Sequence, residues 1–582
     1  MDPNSGNSGH QPGGQTVARP QQPNLVPIGE GWAPGVVPMQ LSGRPHRLRW
    51  GIAGAVVLCV VLISATAAFM LSGAGGQKSL TAGFAPKNAV AFMEVRTDMP
   101  GDQRSKLADF MNHFPGFADR AIFDTAMDEL LDRLTSSVGA DMTYSTDFKP
   151  WMQGEFSVSI VDEGPHSTSG LVTIFALKDR SAAESWMATQ LRDRNTTMTA
   201  QDYNGITLYS TGSGMNDSAY AVTDQNLFLG NYNGVKAALD TRTAGSLADN
   251  PDYQAAMNSQ SGDALARFYI GARSQISASI DAANQMSAPY ATGSGVIPTL
   301  GITAADIPQW MAGSIRSESD RMVVTVTMPR TVATNLDLGN HTSALASVLP
   351  GSTVAVVEEH SLGKVITQEM PRLVGQTEVI SAADLAQVTN LVKTIGGVDW
   401  IRDGVEVVTK QGQTFSGGVV VQATDATTAS TEESSITNLV TLSASTLKLT
   451  SQTETYKGVT ITLIHIPAGA TVKTATQVAL AVKDNLIVAG HDDVFVKEMI
   501  DTTAATSLAS QSDYQTAMGY AGASNEGSFY VNVPAVEDQI GQRFSPVRWA
   551  SDYKPYFDHV GGIAGAVIDG DTVTMRLVIS AK

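Results

Sequence analysis

The sequence DYQAAM at Asp252–Met257 returns as DYQTAM at Asp513–Met518 in a chain of 582 residues. Each copy is followed at the same spacing by a phenylalanine–tyrosine pair, at Phe268–Tyr269 and at Phe529–Tyr530. Two matches that keep the same distance from one another indicate an internal repeat rather than coincidence. The chain therefore has the pattern of one structural design used twice.

Further pairs of segments match in the same order on both sides of these two copies. They are Ala89–Glu94 with Thr353–Glu358, Tyr203–Leu208 with Tyr456–Ile461, and Asp224–Gly230 with Asp484–Gly490. Both copies also end on two alternating apolar strands that polar turn residues separate, at 311–328 and 563–579. We predict two tandem related lobes, over residues 80–333 and 344–582, with a linker at 334–343.

Each predicted lobe contains short segments rich in Val, Ile, Thr, Phe and Tyr, joined mainly by hairpin turns and interrupted by a few helices. This mixture predicts an α+β fold in which each lobe is largely antiparallel sheet with a few packed helices. Apolar residues at helical spacing occur from Phe123 to Leu134 and from Leu385 to Ile395. The Ser- and Thr-rich stretch Thr424–Thr455 is predicted to be a looser, partly helical insertion.

An apolar run without any charge extends from Gly51 to Leu71, ahead of the repeats. A helix of this length crosses a hydrocarbon layer of about 30 Å, so we predict a transmembrane helix at residues 50–72. Arg44, Arg47 and Arg49 precede the run, and positive charge is typical of the cytoplasmic side. The prediction is a single-pass plasma-membrane protein with a cytoplasmic N-terminus and an extracytoplasmic C-terminal region.

The alternative for this run is a cleaved signal peptide, because Ala65 and Ala67 form an A-x-A pattern. A cleavable signal has an apolar core of about 7–15 residues and a short basic leader. Here the core is longer and the leader occupies residues 1–49, which favours the anchor. That leader is rich in Gly, Pro, Gln, Asn and Ser and is predicted to be a disordered cytoplasmic tail, with a flexible linker at 73–79 after the span.

The charge of the chain is strongly acidic, with 38 Lys and Arg against 56 Asp and Glu. The excess lies in the predicted exported part, where its field repels phosphate backbones, so nucleic acid is excluded as a partner. Cys59 is the only cysteine and lies inside the apolar run. Packed cores rather than disulfides must therefore stabilise the exported part.

A resemblance to a known family rests on motifs from both lobes. The stretch EVRTDMPGDQ at Glu94–Gln103, the Ser-Leu-Ala triplets at Ser246–Ala248 and Ser507–Ala509, and the DYQ motifs together resemble an uncharacterised bacterial family, domain-of-unknown-function family 3352. The resemblance covers nearly all of residues 80–582. It implies a single-span envelope protein with a large exported region and implies no activity. The second lobe has EEHSLGKV in place of the opening stretch, which leaves any role of that stretch in doubt there.

No metal, cofactor or catalytic residue is assigned from the sequence. None of the exported histidines forms an i, i+4 pair, and HExxH and G-x-S-x-G are absent. The nearest approach to a ligand set is His491–Asp493, after a strand and before a helical pattern. An aspartate at that point is typical of a helix N-cap, and we interpret it as one.

Glu358, Glu359 and His360 are adjacent and suggest an acid–base group. Consecutive strand residues point to opposite faces, however, which favours a partly exposed strand end. Glu94 recurs at the place of Glu358 and is interpreted as structural in both lobes.

The sequence therefore favours a membrane-anchored envelope protein whose duplicated exported domain is a non-enzymatic binding or scaffolding module. Its predicted partners are membrane lipid, through residues 50–72, and an unknown envelope ligand or protein. The alternative is a hydrolase of cell-wall or secreted material, with carboxylates that converge only in three dimensions. A third hypothesis is a carrier with an apolar cavity inside each lobe.

Overall fold

The computed structural model describes residues 79–138, 142–161, 170–214, 217–271, 273, 307–331, 338–368, 397–468 and 476–582. The predicted tail, the predicted membrane span and nearly all of the linker at 73–79 lie outside these residues. The helical pattern from Leu385 to Ile395 also lies outside them. Within the described ranges, no helix is both long enough and apolar enough to cross a membrane.

The strands of the first half are short and are joined mainly through hairpins. They are β1 Ala89–Arg96, β2 Met152–Val161, β3 Gly170–Leu177, β4 Thr199–Tyr203, β5 Ile206–Ser210, β6 Ser218–Val222, β7 Asn226–Asn231, β8 Ala266–Ile270, β9 Met311–Glu318 and β10 Arg321–Pro329. The later strands are β11 His341–Thr342, β12 Thr353–Glu359, β13 Ile401–Gln411, β14 Thr414–Ala423, β15 Thr450–Tyr456, β16 Val459–Ile466, β17 Thr476–Lys483, β18 Leu486–Gly490, β19 Ser524–Asn525, β20 Gly527–Asn532, β21 Val560–Ile568 and β22 Thr572–Ala581.

Helices of eight or more residues pack against these strands. They are α1 Gln103–Met111, α2 Phe123–Val138, α3 Arg180–Asp193, α4 Tyr232–Ala244, α5 Pro251–Asn258, α6 Ala426–Leu447, α7 Asp493–Asp501, α8 Ser512–Ala521 and α9 Val533–Gly541. The helix predicted from Phe123 is confirmed as α2, which buries Phe123, Met127 and Leu131. The predicted insertion at Thr424–Thr455 consists of α6 and then strand β15, so it is more regular than expected.

The strands pair in the same order in both halves of the chain. In the first half, neighbouring strands follow the order β10-β9-β8-β1-β2-β3-β7-β6-β5-β4. In the second half the order is β22-β21-β20-β12-β13-β14-β18-β17-β16-β15. Every one of these pairs is antiparallel. The prediction of an α+β fold with a large antiparallel sheet is confirmed.

The two sets of strands meet where β10 pairs with β22. Arg321 faces Ser580 at one end of this antiparallel ladder, and Pro329 faces Thr572 at the other. Thr325 and Arg576 face each other at its centre. Each is the fifth residue of its strand, and each strand is the last of its set. The junction therefore has local two-fold character, in which equivalent strands extend one continuous sheet.

The repeated DYQ motif has a physical explanation in both halves. Tyr253 packs edge-on against Tyr269, with ring centroids 5.5 Å apart, and Tyr514 packs in the same way against Tyr530 at 5.3 Å. The following glutamine side chain donates a hydrogen bond to the alanine carbonyl of the preceding Ser-Leu-Ala triplet, over 2.8 Å in the first half and 2.7 Å in the second. The motif therefore fixes one helix against one strand and one turn.

The Ser-Leu-Ala triplets hold the start of each half in place. Ser246 forms a bridge with Pro86, and Ser507 forms the equivalent bridge with Pro350. The leucine N–H that follows each serine donates to the residue before the proline, over 2.8 Å in both halves. These sequence-distant contacts explain why proline and the triplet occur together in each copy.

Candidate functional site

Buried charged side chains cluster at the ends of β1 and β12, on central strands of the sheet. In the first half the cluster contains Glu94, Arg96 and Glu155, each at most 2% exposed. The Arg96 Nε atom lies 3.4 Å from Glu155 Oε2 and donates to Asp98 Oδ1 over 2.7 Å. Arg267 approaches Glu94 at 3.4 Å. Because an unpaired charge is costly in a protein interior, the two guanidinium groups neutralise much of this cluster.

Glu155 is the best-bonded carboxylate of the first-half cluster. It accepts hydrogen bonds from the Ser79 hydroxyl, from the backbone N–H groups of Leu80 and Thr81, and from the Thr81 hydroxyl, over 2.8–2.9 Å. These bonds attach the first described residues of the chain to strand β2. They place Glu155 in a structural role, since its oxygens face protein donors rather than a cleft.

Glu94 differs from Glu155 because its Oε2 atom has no hydrogen-bond partner. Burial raises the pKa of Glu94, and the negative charge of Glu155 raises it further, although Ser79, Arg267 and Arg96 oppose the shift. Strand β1, which carries Glu94, is a central strand that pairs with β2 on one side and with β8 on the other.

The second-half cluster occupies the corresponding strand ends. Glu358 is the counterpart of Glu94, and His360, which follows β12, stands where the first half has Arg96. Their backbones support this correspondence, because the N–H of Arg96 donates to Leu265 O over 2.8 Å and that of His360 donates to Glu526 O over 3.1 Å. Leu265 and Glu526 lie at the same distance before the two Phe-Tyr pairs.

Asp403 and His341 complete the second-half cluster. Asp403 lies in β13, just before the residues that pair with β12, and accepts a hydrogen bond from Ser361 N over 2.9 Å. The short strand β11 pairs with β19 and brings His341 above His360, with the two imidazole centroids 3.9 Å apart. The Nε2 atom of His341 lies 3.1 and 3.0 Å from the two carboxylate oxygens of Asp403.

The environment of His360 is defined by one backbone carbonyl and two carboxylates. Its Nδ1 atom lies 2.9 Å from Asn525 O, and its Nε2 atom lies 3.4 Å from Glu358 Oε1 without forming a hydrogen bond. Burial lowers the pKa of His360, but the negative charges of Glu358 and Asp403 outweigh this effect and raise it above the ordinary value. Glu358 itself accepts a hydrogen bond from the Ser343 hydroxyl over 2.7 Å.

The prediction of a partly exposed strand end at Glu358–His360 is wrong. Glu358 is 4% exposed, Glu359 8% and His360 0%. The reason is that β12 is paired on both sides, with β13 and β20, and that the β11–β19 ribbon lies next to its end. The alternation of side chains along a strand shows on which face of the sheet each one lies, but it does not show which elements cover that face.

The capping interpretation of His491–Asp493 is confirmed. Asp492 is the N-cap of α7, and its carboxylate accepts hydrogen bonds from Phe495 N over 3.2 Å and from the Ser416 hydroxyl over 2.7 Å. In the first half Asn231 caps α4 and accepts from Gly234 N over 2.8 Å. Both side chains satisfy free N–H groups at the start of a helix.

A cavity of about 800 Å³ opens in the first half, beside α3, α4 and the strands β5–β7. Its apolar lining includes Phe84, Ile206, Phe228 and Leu239, and its other lining residues include the stacked pair Tyr209–Tyr220, Ala188, Thr207, Arg242, Arg180, Glu184 and Asp224. Arg180 donates to Glu184 over 2.8 Å and to Asp224 over 2.6 Å. These two carboxylates therefore pair with one guanidinium.

The sequence matches the family model "Protein of unknown function (DUF3352)" over residues 52–565. The chain belongs to this family. A search of curated proteins gives no significant match. Among solved structures, crystal forms I and III of TP0453 match at 8% identity and a TM-score of 0.21, covering 44% and 43% of this chain and 79% and 80% of the other.

One set of residues in this DUF3352 chain has the composition of a metal site. The donor atoms of His341, His360 and Asp403 all lie within 4.8 Å of one another. The sequence predicts no metal ligand, because none of the histidines after residue 72 forms an i, i+4 pair. These three residues come from three separate chain segments, and only the pairing of β11, β12 and β13 with their neighbours brings them together. No local spacing signal marks them.

Proposed function

We propose that this DUF3352 protein is a single-span plasma-membrane protein of the cell envelope. Residues 1–49 form a cytoplasmic tail, residues 50–72 the membrane helix and residues 73–582 the extracytoplasmic part. The uncharged run Gly51–Leu71 and the arginines before it support this arrangement. Contact with membrane lipid through residues 50–72 is part of the proposal.

The extracytoplasmic part consists, in this proposal, of two related lobes at 80–333 and 344–582 with a linker at 334–343. The identical order of strand pairing in the two halves supports the duplication, as do the equivalent proline–serine bridges. The lobes act together as a non-enzymatic binding or scaffolding module for an envelope ligand or protein. The acidic charge of this part argues against nucleic acid.

The cavity beside α3 is the observation that carries the binding function. Its volume lies within the roughly 300–1,000 Å³ of small-molecule sites. Apolar side chains line one part of it, and guanidinium, hydroxyl and phenol groups line the rest, which suits a ligand with an apolar body and a polar or anionic group. We therefore assign the ligand site of the module to this cavity.

The pairing of its carboxylates favours binding over hydrolysis. Glycoside hydrolysis needs one carboxylic acid that stays protonated and one carboxylate that attacks or activates water. Glu184 and Asp224 instead share Arg180, and their side chains are 48% and 89% exposed. Both carboxylates face water and contact one guanidinium, which suits recognition of a polar ligand better than acid catalysis.

The test uses anilinonaphthalene sulfonate, an aromatic anion, as the probe with the purified full-length chain. Ala188 is exposed on α3 and lines the cavity, so Ala188→Trp is expected to fill the cavity entrance and to reduce probe binding at least about tenfold. Ser185→Trp, on an exposed position of the same helix outside the cavity lining, is the matched control and should bind like the wild type. Equal loss in both variants would overturn the assignment.

A second measurement separates binding from hydrolysis. The wild-type chain is incubated with purified cell wall, and released reducing ends are counted. No release above the background of a heat-inactivated sample is expected. Sustained release that Glu184→Gln abolishes would replace the binding function with the hydrolase alternative.

A further inference from the structure

We propose that His341, His360 and Asp403 bind a divalent transition-metal ion of the zinc class. The three donor atoms already lie within 4.8 Å of one another. In a tetrahedral zinc site with bonds of about 2.0–2.1 Å, neighbouring donors are separated by roughly 3.3 Å. Binding one ion therefore requires side-chain rotations that shorten the widest donor separation by up to about 1.5 Å.

The orientation of His360 is the second and independent observation. Its Nδ1 atom lies 2.9 Å from the carbonyl oxygen of Asn525, so Nδ1 carries the proton and donates it there. In the neutral ring the Nε2 atom then carries the lone pair, and this atom is fully buried and has no hydrogen-bond partner. Metal-bound histidines show this arrangement, in which a backbone carbonyl fixes the ring and its tautomer.

Glu358 places a carboxylate next to Nε2 of the neutral His360 ring. Its Oε1 atom lies 3.4 Å from this nitrogen, so a carboxylate oxygen and a nitrogen lone pair face one another. Such a contact is repulsive unless a proton on Nε2 or a metal ion lies between the two atoms. Asp403 adds a second carboxylate next to the two imidazoles. A divalent ion would neutralise both, and Glu358 would offer it a further oxygen.

The first half supplies this positive charge by other means. Arg96 occupies the place of His360 and contacts Glu155, which faces Arg96 across the β1–β2 ladder. In the second half, Glu359 faces Gly404 in the β12–β13 ladder. The next positions along these strands are His360 and Asp403, so Asp403 stands opposite His360 as Glu155 stands opposite Arg96. The second half thus has imidazoles where the first half has a permanent cation, and carboxylates stand at equivalent places in both halves.

The site has an opening for the ion, and His341 can free its Nε2 atom for binding. The His341 side chain is 39% exposed and covers the buried pair, which gives the site an opening. In the absence of metal, the Nε2–H of His341 is shared with the two oxygens of Asp403. For binding through Nε2, the neutral His341 ring moves this proton to Nδ1, so the ring keeps one N–H and offers the Nε2 lone pair to the ion.

The ligand chemistry selects among ions. Imidazole nitrogen favours Zn²⁺, Cu²⁺, Ni²⁺ and Fe²⁺, whereas Mg²⁺ and Ca²⁺ prefer an all-oxygen shell. The site holds three protein ligands from separate segments, with Glu358 adjacent as a possible fourth. Binding would join the β11 segment to the ends of β12 and β13 and thereby stabilise the start of the second half.

The test measures zinc binding to the full-length chain, purified without a polyhistidine tag and stripped with EDTA. Calorimetric titration is expected to show one Zn²⁺ per chain, a higher unfolding temperature with Zn²⁺, and no such effect with Mg²⁺. His341→Ala removes a partly exposed ligand and is expected to weaken Zn²⁺ binding at least about tenfold. His465→Ala, an exposed histidine on β16, is the matched control and should bind like the wild type.

His360→Arg is the second variant and reproduces the first-half arrangement. Its guanidinium supplies the missing charge, so the variant is expected to fold, to lose Zn²⁺ binding and to lose the zinc-dependent rise in unfolding temperature. The proposal is overturned if the wild type takes up no Zn²⁺, or if it binds Zn²⁺ no more tightly than His341→Ala. A fully retained zinc response in His360→Arg would also overturn it. These outcomes do not depend on the cavity beside α3.

Discussion

Arg96 and His360 occupy the same place in the two halves of the sheet, at the end of β1 and just after β12. Each is fully buried, and each donates its backbone N–H to the residue just before a neighbouring strand, Leu265 before β8 and Glu526 before β20. One position therefore carries a permanent cation in the first half and an imidazole in the second. Because of this difference, a guanidinium charge neutralises the carboxylates of the first-half cluster, whereas the second-half cluster has imidazoles next to its carboxylates. The two clusters are therefore expected to respond differently to substitution.

Replacing Arg96 tests whether the first-half cluster depends on its guanidinium. In Arg96→Met the carboxylates of Glu155 and Asp98 lose their closest cation, and removal of one partner from a buried pair costs about 3–5 kcal/mol. Arg104→Met is the control, because Arg104 and Asp124 form an exposed pair worth at most about 1 kcal/mol. Urea unfolding measures both. Equal losses would show that Arg96 is not critical.

The raised pKa of Glu94 predicts a pH-dependent stability difference. Burial, and then the charge of Glu155, raise this pKa in the folded chain. A carboxyl whose folded pKa is raised contributes stability below its unfolded pKa of about 4.3, and this contribution is lost as the pH rises through the raised value. Glu94→Gln, which cannot ionise, should therefore gain stability relative to the wild type as the pH rises.

The measurement for Glu94→Gln is the urea midpoint between about pH 4 and pH 8. Glu129→Gln is the control, because the Glu129 side chain is 64% exposed and should show no such trend. A wild-type advantage that grows with pH would contradict the sign of the shift and would place an ionised Glu94 among the stabilising groups.

Much of the fold was accessible from the sequence because its repeated motifs form specific contacts. Tyr253 and Gln254 recur in the second half since each fixes a helix to a strand or a turn. The Asn204–Gly205 turn between β4 and β5 lies in another of the matching segments. Both of its residues adopt the left-handed conformation that a tight hairpin requires. Local patterns of this kind recur in both halves of the chain, and their matching order indicates that the elements follow one another in the same order.

The second-half cluster was not accessible in this way. His341, His360 and Asp403 are brought together by strand pairing between distant segments, and the pairing of β13 is irregular between Ile401 and Gly404. The equivalent ladder of the first half is irregular too, between Met152 and Phe156, so Asp403 is matched with Glu155 through the pairing of β13 with β12 rather than through local spacing. The burial of Glu358 was missed because the sequence does not reveal that β11 and β19 pair next to it.

Two helical glycines are expected to respond in opposite directions to the same substitution. A methyl group at Gly234, in α4, would overlap the backbone of Leu171 on β3, so Gly234→Ala should destabilise the chain by about 1–3 kcal/mol. Gly519, in α8, has no atom within 4 Å of the added carbon, and Gly519→Ala should stabilise by about 0.5–1 kcal/mol. Thermal unfolding compares the two. A stabilising Gly234→Ala would disprove the close contact between α4 and β3.

The proposed topology can be tested with single cysteines, because Cys59 is the only native cysteine and lies in the proposed span. Val547 is 78% exposed in the described part of the second half, whereas Ser8 belongs to the proposed cytoplasmic tail. A membrane-impermeant maleimide applied to intact cells should label Val547→Cys but not Ser8→Cys. After permeabilisation both variants should be labelled, and the wild type gives the background. Labelling of Ser8→Cys alone in intact cells would reverse the orientation, and an absence of either variant from the membrane fraction would remove the anchor. In both cases the ligand of the cavity beside α3 would have to be sought in another compartment.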